Sequence, residues 1–94
     1  MPKTVLLRDF FKKGEIILEL SALIERAQES GYRLCSAEQA HLLPIPKKYN
    51  SKRFLIFPGS IIGDAAMAIK NCGHILIPLS FSFESSSSAA IAVF

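Results

Sequence analysis

Tryptophan is absent from the 94 residues, and cysteine occurs only twice, at Cys35 and Cys72. Two thiols do not make a disulfide framework, and they fit the reducing cytoplasm. Without tryptophan, much of the packing falls to seven phenylalanines. Long apolar runs are missing too. No window reaches ~18 uninterrupted apolar residues, so no spanning segment is expected. The nearest stretch, 75–94, is broken by Pro78, Glu84 and six serines. The N-terminus has a three-residue apolar run before Arg8 and Asp9, too short for the core of a secretory leader. Charge of one sign is scarce as well. The formal net charge is +3, which solubility explains as readily as a polyanion partner does. What the chain does have is hydrophobic bulk, at half of its residues. One domain of this length buries roughly 60–70% of its unfolded surface, enough for a core without disulfide or metal.

Along the chain, Leu6, Leu7, Phe10 and Phe11 fall at helical spacing, so residues 4–13 are read as a helix, with a short strand at 4–7 as the alternative. Residues 15–30 give the clearest helical pattern. Ile16, Ile17, Leu20, Leu23, Ile24 and Ala27 form one apolar stripe. After a basic, proline-bearing loop at 44–53, the run Phe54 to Phe57 reads as a strand buried on both faces. Pro58 and Gly59 bend it, Ile61 and Ile62 resume it, and Gly63-Asp64 turns. Residues 65–70 read as a helical turn or a loop. Residues 74–84 alternate, with Ile75, Ile77, Leu79, Phe81 and Phe83 on one side. Pro78 makes this an edge strand or marks a bulge. Residues 89–94 read as a last strand returning as a hairpin. No internal repeat is evident.

Residues 31–43 have a logic of their own. Gly31 suits the left-handed position after a helix. Tyr32, Arg33, Leu34 and Cys35 alternate as a strand. Ser36 and Gln39 have the spacing of a capping box, Glu38 suits the first turn, and Pro44 and Pro46 stop the helix. The order Tyr32, Arg33, Leu34, one residue, Ser36, then Gln39 is similar to the G-[WY]-R-L-P-T-x-x-E segment of formylglycine-generating-enzyme-type domains, a branch of the C-type-lectin-like fold. Phe57 to Ser60 adds to the likeness. The resemblance implies a lectin-like scaffold, as in the variable proteins of diversity-generating retroelements, with a ligand surface near the C-terminus. It does not imply the activity of the family's enzymes, which rests on a cysteine pair near the C-terminus where this chain has Cys72 alone.

Chemistry-bearing sets are few. Cys35, His41, Cys72 and His74 are the residue types of a zinc site, but Cys-x5-His and Cys-x-His are not its usual spacings. No metal or other cofactor is expected, and Cys35 reads as a buried thiol. Ser60 lacks the G-x-S-x-G surroundings of an activated nucleophile, and Gly59 and Gly63 lack the lysine of a phosphate loop. Ser60 instead reads as a turn residue that satisfies backbone. No catalytic residue is assigned. The expected architecture is one α+β domain spanning 1–94. Two N-terminal helices and a short third helix pack on a small antiparallel sheet. Residues 1–43 are mainly helical with one short strand, and 53–94 mainly strands. The expected function is a non-enzymatic binding module. Its C-terminal hairpin face, carrying Ser80, Ser82, Ser85 and Ser86, meets a protein or small-molecule ligand. One alternative is nucleic-acid binding through Lys47, Lys48, Lys52 and Arg53, with Tyr49 as a stacking platform. Another is a small homo-oligomer pairing strands between chains.

Overall fold

The computed structural model describes residues 1–42, 54–70 and 73–94, with the side chains of 40–42 left aside. Its centre is a mixed five-stranded sheet in the order β1-β7-β3-β4-β5. Strand β1 is Lys3–Leu6, β3 Leu55–Ile62, β4 Ala65–Lys70, β5 Gly73–Pro78 and β7 Ala90–Val93. Strands β3 and β7 run parallel, and the other neighbours are antiparallel. A second, two-stranded ribbon pairs β2, Ile17–Glu19, with β6, Ser82–Glu84. The one α-helix among the described residues, α1, is Leu20–Glu29. Two 3-10 turns, Leu7–Phe10 and Ala37–Leu42, complete the elements.

Two N-terminal helices on an antiparallel sheet are therefore not what forms. Residues 3–6 are the edge strand β1, and only one 3-10 turn follows where the first helix was expected. Thr4 pairs with Ala92. The second helix starts five residues later than its pattern suggests. Ile16 and Ile17, placed on its apolar stripe, are 69% and 58% exposed, with Ile17 in the ribbon opposite Glu84. The third is a 3-10 turn, where Gln39 Oε1 accepts the Ser36 N–H at 3.0 Å, half of the expected capping box. The strand expected at 32–35 reduces to one bridge, Leu34 to Val93. Residues 65–70 form a full strand between two others rather than a helical turn. The C-terminal strand makes no hairpin. It inserts between β1 and β3.

Period-two alternation divides the sheet's side chains between two cores. On one face Ile56, Ala66, Ala68, Ile77, Ile91 and Val93 meet Leu20, Leu23 and Ala27 of α1 and Phe83 of the ribbon. Burying each large aliphatic side chain there stabilises by about 1.5–3 kcal/mol. On the other face Leu55, Phe57, Ile69, Ala90 and Ala92 pack with Cys35. The Phe54 to Phe57 run is apolar because its strand is covered from both sides.

Two glycines fix the chain path. Gly31 ends α1 with φ +92°. Its N–H donates to Gln28 O at 3.0 Å and the Tyr32 N–H to Ala27 O at 3.1 Å, the paired bonds of a Schellman motif. Gly59 lies in the register shift of β3 between Phe57 and Ile61. A Cβ there would stand 2.7 Å from the Cys35 carbonyl carbon, so only glycine lets the two backbones meet. The contact is sealed by Gly59 N–H to Cys35 O at 2.9 Å.

Candidate functional site

The site is built around strand β5, which lies at the edge of the five-stranded sheet opposite β1. Its register runs from Lys70 opposite Gly73 to Ala65 opposite Pro78, and beyond it Leu79 N–H donates to Asp64 O at 2.8 Å. Antiparallel pairs alternate between bonded and non-bonded. Leu79, Ile77, Ile75 and Gly73 therefore turn their backbone groups toward β4. Pro78, Leu76 and His74 turn theirs outward. Pro78 stands in the phase where a missing N–H costs the ladder nothing. Its carbonyl accepts the Phe81 N–H at 2.9 Å. The open part of the edge is then the N–H and C=O groups of His74 and Leu76.

Helix α1 positions the wall beside this edge. The helix has no side-chain cap at Glu19. Its first free donors go to the 79–81 turn instead: Leu20 N–H to Phe81 O at 2.8 Å and Ser21 N–H to Leu79 O at 2.9 Å. The turn is thereby pinned and Phe81 is held out over β5. Its ring meets that of buried Phe83 edge-on, with centroids 4.9 Å apart. Between Phe81 and the strand lies a groove of about 230 Å³. Ile75, Leu76, Ile77 and Pro78 form its floor and edge, and Phe54 and Lys70 close one end. Leu76 and Phe81 stay 52% and 46% exposed. The Lys70 ammonium sits 5.5 Å from the Phe54 ring centroid. Among the described residues it is the one charged side chain lining the groove, and no carboxylate pairs with it.

The serines expected to bind ligand are split. Ser80 and Ser82 flank Phe81, Ser80 in the turn and Ser82 on β6 opposite Glu19. The Ser85 N–H donates to Ile16 O at 2.8 Å at the far end of the ribbon, and exposed Ser86 follows. None of the four lines the groove. Lys47, Lys48, Tyr49, Lys52 and Arg53 lie outside the described residues, as does Cys72. Of the four residues of the zinc pattern, Cys35 is fully buried in the second core and His74 is exposed on the edge strand. No group of three or more metal-ligating side chains occurs among the described residues. Burial pushes the Cys35 thiol pKa up. Ser60 accepts the Ala37 N–H at 2.7 Å through its Oγ, the backbone-satisfying role its turn position suggests.

Sequence reasoning missed Phe54, Lys70 and Phe81 as a group. They come from three separate segments, and only the β4–β5 pairing and the pinned turn bring them together. Pro78, marking an edge, was the one signal available. No helix among the described residues is long and apolar enough to cross a membrane. No family model, curated protein or solved structure matches this chain.

Proposed function

We propose that this chain is a non-enzymatic cytoplasmic binding module whose contact surface is the open edge of β5 and the groove beside it. The carrying observation is the combination of backbone groups at His74 and Leu76 that no strand pairs among the described residues with the apolar groove under Phe81. Sheet edges are usually short, charged or covered, because an open edge invites pairing. Here the edge carries an exposed leucine and adjoins an exposed phenylalanine, which suits capture of a partner. Ser80 and Ser82 supply a polar rim on either side of Phe81. A binding role is also what the lectin-like resemblance of residues 31–43 implies.

Screening the 15N-labelled chain against small apolar fragments tests the reading. Amide shifts should cluster at Phe54, Ile75 to Ile77 and Phe81, and Phe81→Asp should erase them. Shifts scattered over the molecule, or indifferent to Phe81→Asp, would sink it.

A further inference from the structure

We infer that the occupant of this edge is an extended, alternating segment of a partner protein that places an apolar side chain in the groove and a carboxylate on Lys70. The inference rests on the binding reading above and adds the class of partner. Three observations carry it. The first is the backbone. His74 and Leu76 both turn N–H and C=O outward, so an antiparallel strand finds two donors and two acceptors, and the Pro78 position ends the ladder. The second is size. About 230 Å³ falls below the ~300–1,000 Å³ of common small-molecule pockets, but it admits a large side chain. Strand addition works this way, with affinity from the main chain and selectivity from pockets for alternate side chains.

The third observation is charge. Lys70 pairs with Gly73 on the groove's face of the sheet, and Gly73 has no side chain to screen it from the edge. An incoming residue opposite Gly73 therefore meets the ammonium directly. The residue two positions along, roughly 7 Å away, falls opposite Ile75 and over the groove. An acidic side chain two positions from a large apolar one completes both contacts. A second copy of this chain, pairing edge to edge through His74 and Leu76, would set Ile75, Ile77 or Leu79 opposite Gly73 and leave Lys70 without a carboxylate.

The test is a display library of random seven-residue peptides panned against the full chain. Enriched sequences should carry Asp or Glu two positions from a large apolar residue. The synthetic peptide should bind about tenfold more weakly to His74→Pro, which deletes one outward N–H in the phase Pro78 already occupies. His74→Ala keeps that N–H and should bind as the parent does. Should His74→Pro fail to fold, Lys70→Glu decides: panning against it should enrich Lys or Arg at the acidic position. Enrichment without an acidic residue overturns the inference, as does an absence of enrichment or equal binding by folded His74→Pro. A dimer in sedimentation equilibrium that His74→Pro dissolves overturns it in favour of a second copy. In each case fragment shifts at Phe81 would persist, so the binding reading stands or falls separately.

Discussion

Glu15 shows how one side chain is placed by contacts far from it in sequence. Both carboxylate oxygens take Arg26, Oε1 from Nη1 at 2.5 Å and Oε2 from Nη2 at 2.6 Å, tying the segment before β2 to α1. Oε1 also accepts the Lys12 N–H at 2.6 Å, and Arg26 donates to Phe10 O. The Arg26 hydrogen bonds, then that from Lys12, lower the Glu15 pKa from its ordinary 4.5 to about 2. Between those values the unfolded chain binds more protons than the folded one. The pair's contribution is therefore whole above pH 4.5 and is lost as pH falls toward 2. Urea melts from pH 2 to 6 should show stability declining on acidification, with a shallower decline in Glu15→Gln. Parallel curves for the two proteins would refute the assignment. Both partners are about a quarter exposed, so salt should narrow the difference as well.

Among the elements, α1 holds the fold and the site together. Its inward residues Leu20, Leu23 and Ala27 are fully buried against the sheet, and its first N–H groups pin the 79–81 turn. Leu23→Ala should cost about 2–5 kcal/mol, read from the urea midpoint, and should also loosen Phe81, visible as faster amide exchange there. A loss of stability with exchange at Phe81 unchanged would mean that the helix does not carry the turn. The buried part of this helix was legible in sequence, because Leu20, Leu23, Ile24 and Ala27 repeat at its period. Its start was not. Ile16 and Ile17 extend the same period by chance and lie in the ribbon instead. Strand β3 was legible as well, since the continuous apolar run Phe54 to Phe57 fits a strand covered on both faces. Strand β4 was hidden because three of its six residues are alanine, the best helix former. Pairing with β3 and β5 outweighs that preference. The alternation from Ile75 to Phe83 kept its phase through the Pro78–Phe81 turn, so two strands of different sheets looked like one. The groove was illegible for the same reason, since it exists only where that turn breaks the run.

At the scale of the whole molecule, two cores pack on opposite faces of one sheet, so each is expected to open only when both do. Cys35 reports on this. It is fully buried, its N–H donates to Ala92 O at 3.1 Å, and its carbonyl holds Gly59. With Cys72 replaced by serine, the remaining thiol should resist a disulfide reagent at pH 8 and react at a rate that follows global unfolding in rising urea. Prompt labelling in native buffer would show that the second core opens by itself.

The position of β7 between β1 and β3 has a consequence for biosynthesis. A ribosome delivers Lys3–Leu6 early and Ala90–Val93 late, yet each needs the other to close its ladder. Until that late segment emerges, the nascent chain carries Phe54 to Phe57 with one flank bare. Such a sticky intermediate invites chaperone attention or self-association on polysomes.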